Sequence, residues 1–193
     1  MTRKAEPPDS IRISADGLAF GVPFVLSPNC DDRPAGAVID LLVIHAISLP
    51  PGEFGGGAIE ALFLNELNPA HHPYYVGISD FRVSSHFLVR RNGAIVQYVP
   101  CIKRAWHAGA SSWRGRSRCN DFSIGIELEG SEEVPFETPQ YDAAAKLTRA
   151  LAIAYPITEI VGHSDIAPGR KTDPGASFDW SRFRASLPRK LQI

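Results

Sequence analysis

Apolar runs separated by turn-forming residues predict an alternation of strands and helices along the chain. Residues 37–49, "AVIDLLVIHAISL", are nearly all apolar and rich in β-branched side chains, which is typical of a central strand covered on both faces. Residues 121–130, "DFSIGIELEG", alternate between apolar and polar positions and predict a strand with two different faces. Residues 157–163, "ITEIVGH", form a further short strand.

Helical spacing and a hairpin signal complete the pattern. Residues 58–67 and 177–187 predict short helices, and residues 138–156 predict a longer one with Thr138 as N-cap. Residues 81–100 predict a hairpin around Asn-Gly, the dipeptide favoured where both turn residues need positive φ. Because strands and helices interleave and one pair is antiparallel, we predict an α/β (α+β) fold with a mixed central β-sheet and flanking helices.

Length and composition indicate one soluble domain. The chain has 193 residues, 44% hydrophobic and 21% charged, with a formal net charge of −1. We find neither an internal repeat nor a long linker, so residues 1–193 are expected to form a single domain, with residues 1–10 flexible. The balanced charge and the lack of a basic stripe argue against nucleic-acid binding. We expect a monomer.

The chain shows no sign of export, membrane insertion or disulfide bonding. The first ten residues, "MTRKAEPPDS", have no apolar run behind them, so we expect the protein to stay in the compartment where it is made. The longest apolar run is too short to span a bilayer. Cys30, Cys101 and Cys119 are widely spaced and form no Cys-x-x-Cys pair, which indicates small buried thiols rather than a disulfide framework or a zinc knuckle.

Three predicted strands carry polar residues at positions that an apolar core would not require. His45 lies near the end of the buried strand, Glu127 is on the polar face of the alternating strand, and His163 precedes the loop "SDIAPGRKTDPG". The ends of central strands are where α/β proteins collect ligands. The Pro and Gly residues of the loop would allow it to fold back and bring Asp173 beside His163.

Two imidazoles and one carboxylate would form a catalytic rather than a structural zinc site, because the fourth tetrahedral position stays free. The candidate ligands are His45, His163 and Asp173. Asp165 is an alternative carboxylate and His86 a competing imidazole, although the position of His86 within a strand favours a buried, hydrogen-bonded side chain. The alternative without metal makes both histidines ordinary core residues and Asp173 a turn cap.

Further chemistry is available near these strand ends. Gly125 leaves room beside Glu127, so that a carboxylate there could accept a proton from an activated water. Lys171 could stabilise a developing oxyanion, or it could be an ordinary solvated lysine. The segment "KRAWHAGASSWRGR", with Trp106 and His107, could supply stacking surface for a ligand or simply cover the sheet.

Several long blocks resemble, in the same order, the zinc-dependent N-acetylmuramoyl-L-alanine amidases. They include "LLVIHAISLPPGEFGGG", "RVSSHFLVRRNGAIVQYVP", "RCNDFSIGIELEG" and "YPITEIVGHSDIAPGRKTDPG". The similarity extends from about residue 18 to about residue 185, which we take as the core of an amidase-like domain. It is strongest to the cytosolic branch of the family, which acts on anhydro-muropeptides returned from the bacterial cell wall.

The resemblance implies a site and a reaction. It implies one Zn²⁺ held by His45, His163 and Asp173, with Asp165 behind the ligands rather than among them. It implies catalytic roles for Glu127 and Lys171 and substrate contacts for Arg82, Trp106 and His107. The reaction would be hydrolysis of the lactyl-amide bond between (1,6-anhydro-)N-acetylmuramic acid and L-alanine of a muropeptide, in cytoplasmic peptidoglycan recycling.

Two alternatives and one departure remain at this point. A protein with the same fold could bind muropeptides without cleaving them, although such relatives typically replace a zinc ligand. An exported amidase acting on intact sacculi would conflict with the N-terminal sequence. The chain has Ala46 after His45, where close relatives usually have an Asn whose amide could contact substrate; one lost hydrogen bond costs about 0.5–1.5 kcal/mol.

Overall fold

The computed structural model describes residues 11–191, and its elements follow the predicted alternation. The α-helices are α1 (Ala58–Phe63), α2 (Thr138–Ala154), α3 (His163–Ile166) and α4 (Trp180–Ala185), and short 3₁₀ helices span Pro69–His71, Pro73–Gly77, Cys119–Asp121 and Arg189–Leu191. The strands are β1 (Arg12–Ile13), β2 (Ala19–Phe20), β3 (Cys30–Asp32), β4 (Leu41–Ile47), β5 (Phe87–Val89), β6 (Ile95–Gln97), β7 (Lys103–Ala105), β8 (Ser112–Trp113), β9 (Arg116–Ser117), β10 (Ser123–Glu129) and β11 (Glu159–Gly162). The expectation for residues 1–10 lies outside the described residues.

A five-stranded mixed sheet with the order β11-β4-β10-β5-β6 forms the centre of a single domain, which confirms the predicted fold class. The first four strands of this order are parallel, and β6 pairs antiparallel with β5. As predicted, β4 is central, and its residues 41–45 are buried because both faces of the sheet are covered. Within residues 11–191, none of the helices has the length and apolar character that crossing a bilayer requires.

The two faces of the sheet pack against different layers. Ile44 on β4 and Ile126 on β10 belong to a large apolar cluster on the α2 side, which Phe183 of α4 joins. On the other face, α1 and the loops form a second cluster around Leu88 and Tyr98. The side chains of His45 and Glu127 alternate with the residues that pack on α2, so the candidate chemistry lies on the face opposite that helix.

Local boundaries differ slightly from the sequence predictions. Helix α2 has Glu137 rather than Thr138 as its N-cap, and the Gln140 side chain accepts a hydrogen bond from the Glu137 backbone N–H at 3.0 Å. In the β5–β6 hairpin only Gly93 has positive φ. The hairpin loop has three residues between Arg90 and Ala94, a type in which only the last residue is left-handed, so Asn92 does not need positive φ.

Glu129, which alternation alone would leave in solvent, is a buried anchor that is only 2% exposed. Its Oε1 accepts hydrogen bonds from the Gly55 backbone N–H at 2.7 Å and from Arg90 Nη1 at 3.2 Å, and its Oε2 accepts from the Arg91 backbone N–H at 3.2 Å. The carboxylate therefore joins the end of β10, the hairpin and the glycine-rich loop before α1.

We expect Glu129→Gln to lower the free energy of unfolding by about 1–3 kcal/mol, because the neutral amide weakens hydrogen bonds to charged and backbone donors and adds a buried donor. Urea denaturation would measure the change. Glu133→Gln, at an exposed position nearby, should stay within about 0.5 kcal/mol of the parent chain. Equal stability of both variants would contradict the anchoring role.

Candidate functional site

The carboxyl ends of three neighbouring strands bring His45, Glu127 and His163 to the same level of the sheet. Glu127 on β10 is paired with His45 on β4, and Gly162 at the end of β11 is paired with Ile44. His163 is the next residue after Gly162, so it lies level with His45. This edge of a parallel sheet is where α/β folds place their ligands.

The loop after β11 returns Asp173 to this point. The backbone N–H of Ser164 donates to the Asp173 carbonyl at 2.9 Å, which closes the loop onto its own beginning. As a result, Asp173 Oδ2 lies 3.2 Å from Nδ1 of His45 and 3.2 Å from Nδ1 of His163, and the two Nδ1 atoms are 3.0 Å apart. The structure thus brings together the three side chains that the sequence proposed as ligands.

The spacing and chemistry of these three atoms fit a zinc ion. Bonds of 2.0–2.1 Å in a tetrahedral site separate ligand atoms by about 3.3 Å, close to the triangle seen here. His163 Nε2 lies 3.2 Å from the Ala108 carbonyl oxygen, which can only accept, so we assign the His163 proton to Nε2. The Nδ1 lone pair of His163 then faces the other two groups. Three protein ligands are typical of catalytic zinc.

The charge states of the cluster also suit a cation. Burial lowers the pKa of His45 to about 4, so its imidazole is neutral near pH 7. Burial alone would raise the pKa of Asp173, but its contacts with His163 and His45 hold that pKa below the ordinary value. A neutral imidazole and an ionised carboxylate are the forms that coordinate metal.

The two competing candidate ligands, Asp165 and His86, lie outside this cluster. Asp165 is exposed, and its Oδ2 accepts the Gly162 backbone N–H at 2.7 Å, so it supports the start of α3. His86 is buried; its Nδ1 accepts the Gly125 backbone N–H at 3.0 Å, and its Nε2 lies 3.1 Å from the Lys103 carbonyl oxygen. His86 is therefore a hydrogen-bonded core histidine, as expected. Neither Asp165 nor His86 belongs to the cluster of His45, His163 and Asp173.

Glu127 is a largely buried carboxylate beside the cluster. Its Oε1 lies 3.9 Å from His45 Nδ1, and its side chain is 12% exposed. Its Oε2 is buried and has no hydrogen-bond partner among the described residues. Burial, and secondarily the charge of Asp173, raises the pKa of Glu127 well above its ordinary value. A carboxylate in such an environment is suited to accept and return a proton.

A cleft of about 430 Å³ opens over the cluster, a size suited to a small ligand. Glu127, Lys171 and Trp106 line it, together with apolar side chains of α1 and of the segment after α1. Ala46 also lines the cleft. Arg82, by contrast, is exposed and lies outside this lining; its Nη1 is 3.5 Å from the Ser79 and Phe81 carbonyl oxygens.

Trp106 is held in place by residues that the sequence did not single out. Its indole Nε1 donates to Asp31 Oδ1 at 3.2 Å. Arg104 binds both oxygens of Asp31 and also reaches Asp121. Asp31 and Arg104 are partners across the β3–β7 pair, whose strands are far apart in sequence. No local sequence pattern predicts a pairing between two strands so far apart in sequence.

His107 fills the space that Gly125 leaves open. A Cβ on Gly125 would lie 2.6 Å from the imidazole ring, so the group that approaches Glu127's strand here is a side chain of the protein itself. His107 Nδ1 lies 2.9 Å from His45 Nε2, and His107 Nε2 lies 3.2 Å from Ser123 Oγ. Both ring nitrogens therefore have protein partners, and the residue is only 8% exposed although it borders the cleft.

Known proteins resemble the chain in sequence and fold. The family model described as N-acetylmuramoyl-L-alanine amidase matches residues 35–176. The 1,6-anhydro-N-acetylmuramyl-L-alanine amidase AmpD of Citrobacter freundii is 58% identical over 163 residues, which cover 83% of this chain and 87% of that protein. A crystal structure of selenomethionine AmpD superposes with a TM-score of 0.89 and 54% identity, covering 91% of this chain and 99% of that one.

A more distant structure contains a ligand. It is AmiD of Escherichia coli in complex with the substrate anhydro-N-acetylmuramic acid-L-Ala-D-γ-Glu-L-Lys, with a TM-score of 0.56 and 32% identity. The match covers 92% of this chain and 65% of AmiD. These findings confirm the family that the sequence blocks indicate. The chain belongs to the N-acetylmuramoyl-L-alanine amidase family, a family of amide hydrolases.

Proposed function

We propose that the protein uses one zinc ion to hydrolyse the lactyl-amide bond between (1,6-anhydro-)N-acetylmuramic acid and the L-alanine of a stem peptide. The observation that carries this proposal is the triangle of His45, His163 and Asp173 beside the unpartnered carboxylate oxygen of Glu127. High identity over most of the chain to relatives named as 1,6-anhydro-N-acetylmuramyl-L-alanine amidases supports the substrate class.

The donor set determines the chemistry. His45, His163 and Asp173 would hold the zinc ion, which would supply Lewis acidity to polarise the amide carbonyl and acidify the attacking water. Glu127 takes the proton of that water on its carboxylate and returns it to the departing alanine nitrogen. Lys171, on the wall of the same cleft, contributes positive charge near the carbonyl oxygen as it becomes negative.

The cleft suggests how the substrate is held. Trp106, fixed by Asp31, offers a rigid aromatic surface in the same lining as Glu127 and Lys171. Arg82 lies beyond the lining, where its exposed guanidinium would meet a carboxylate of the stem peptide that extends out of the cleft. Ala46 offers no side-chain hydrogen bond in the cleft, so affinity for the sugar or lactyl group rests on its neighbours.

The cellular role follows from the same resemblance. We place the activity in peptidoglycan recycling in the bacterial cytoplasm and expect the protein to act as a monomer on soluble muropeptides. The structure of AmiD with an anhydro-muramyl tripeptide supports a small-molecule substrate for this fold.

A muropeptide digest tests the proposal. The zinc-loaded chain should release free stem peptide from a soluble anhydro-muropeptide, as detected by mass spectrometry, and chelation should remove this activity. It should cleave the soluble fragment in preference to insoluble sacculi. Binding of the muropeptide without any release of peptide would overturn the proposal in favour of a binding protein, and preference for sacculi would overturn the recycling role.

A further inference from the structure

We propose that His107 is a positioning residue that determines which nitrogen of His45 faces the metal site, and that it does not contact substrate. The proposal deepens the function above and rests on its metal site. It follows from a chain of hydrogen bonds that runs from the backbone of residue 119 through Ser123 and His107 to His45.

The direction of this chain is set at its far end. Ser123 Oγ lies 2.6 Å from the Cys119 carbonyl oxygen, which can only accept, so the hydroxyl proton points there. The lone pairs of Ser123 Oγ are then available to His107 Nε2, 3.2 Å away. We therefore assign a proton to His107 Nε2, which donates to Ser123.

The same logic carries through the two imidazoles. A neutral imidazole has one N–H, so His107 with its proton on Nε2 presents a lone pair at Nδ1. His45 Nε2 lies 2.9 Å from that lone pair and must donate to it. His45 then carries its proton on Nε2, and its Nδ1 lone pair is directed at His163 and Asp173. Metal-binding histidines are commonly oriented through their second nitrogen in this way.

Ala108, the residue after His107 in the sequence, orients the imidazole of His163 in the same way. The Ala108 carbonyl oxygen lies 3.2 Å from His163 Nε2 and also accepts from Arg170 Nη2 at 2.7 Å. Asn120 Oδ1 accepts the backbone N–H groups of His107 and Ala108 at 3.2 and 2.8 Å. One dipeptide, clamped by Asn120, thus orients both candidate imidazole ligands.

The packing of His107 explains why it cannot serve the substrate as well. Its ring occupies the space above Gly125, which a Cβ at that position would fill. Both of its nitrogens are used by His45 and Ser123, so a neutral ring has no donor or acceptor left for a ligand in the cleft.

Direct detection of the hydrogen bond tests the proposal without any substitution. In the zinc-loaded, ¹⁵N-labelled full chain, we expect a nitrogen–nitrogen coupling between His45 Nε2 and His107 Nδ1, with the proton on His45. A His107 ring protonated on Nδ1 would reverse the direction and overturn the proposal.

Two substitutions test the consequence for metal affinity. His107→Phe keeps an aromatic ring but removes the acceptor, and it should weaken zinc binding by about 10–100-fold in competition with a chromophoric chelator. His107→Gln, whose amide oxygen can accept from His45, should recover most of that affinity. Thermal melting of both variants reports folding, and at saturating zinc the KM of folded His107→Phe should match the parent value.

Trp106→Ala is the matched control on the neighbouring residue, because it should raise KM and leave zinc affinity unchanged. If His107→Phe instead behaves like Trp106→Ala, with parent zinc affinity and a raised KM, then His107 contacts substrate and the inference is wrong. Failure of the parent chain to bind zinc would count against the proposed function and this inference together. Bound zinc without cleavage of muropeptide would count against the proposed function alone, because the coupling in the zinc-loaded chain would still decide the direction of the hydrogen bond.

Discussion

Glu127→Gln is expected to lower kcat for muropeptide hydrolysis by about 10²–10⁴-fold while zinc stays bound. The substitution keeps the shape of the side chain but replaces the oxygen that would accept a proton with an amide. Glu127 lies next to the cluster rather than within it, since its Oε1 is 3.9 Å from His45 Nδ1, so the substitution leaves the three proposed ligands in place. Steady-state kinetics combined with metal analysis of the same sample would measure both effects.

A second carboxylate in the cleft provides the control. Glu132 also lines the cleft, but it is exposed and its carboxylate accepts a hydrogen bond from Thr172. Glu132→Gln removes the same charge without touching the buried proton acceptor and should retain most of the turnover. If Glu127→Gln cleaves at the parent rate, or if both variants lose turnover equally, a different group transfers the proton.

The position of the site could be predicted because it depends on the sheet. A strand buried on both faces must be central, and polar residues at the ends of such strands have a cost that only a function or a hydrogen-bond network offsets. That argument located His45, Glu127 and His163, and register pairing brings them to one level. The fold-back of Asp173 followed from the turn residues in its loop.

Features that depend on distant partners could not be predicted. Glu129 has the same strand pattern as a solvated glutamate, and only the arrival of Gly55, Arg90 and Arg91 from other segments buries it. The hold of Asp31 on Trp106 likewise requires the pairing of β3 with β7. Periodicity describes one element at a time, whereas these contacts join elements.

The position of His107 explains a sequence feature whose meaning the sequence alone could not settle, the missing side chain at Gly125. The missing side chain at Gly125 did indicate that something approaches the polar face of β10. Alternation alone suggests a ligand, but the structure fills the space with the His107 ring. The information that distinguishes the two is the hydrogen-bond partner of each nitrogen, which no spacing along the chain contains.

Asp173→Asn is expected to remove most zinc-dependent stabilisation and the hydrolytic activity with it. In the proposed site, zinc at a concentration a thousand times its Kd should raise the free energy of unfolding of the parent chain by about 4 kcal/mol, provided that it binds only the folded state. Asn replaces the one anionic group of the proposed site with a neutral amide, so the affinity for a divalent cation should fall. Urea denaturation with and without added zinc, alongside the muropeptide digest, measures both losses.

Asp165→Asn is the matched control, because it makes the same change in the same loop at the carboxylate that the sequence alone could not exclude as a ligand. Its Oδ2 accepts the Gly162 backbone N–H, and the amide oxygen of Asn can accept the same hydrogen bond, so we expect stability within about 1 kcal/mol of the parent chain and no loss of the zinc-dependent part. The opposite outcome, in which Asp165→Asn abolishes the response to zinc and Asp173→Asn preserves it, would identify Asp165 rather than Asp173 as the third ligand.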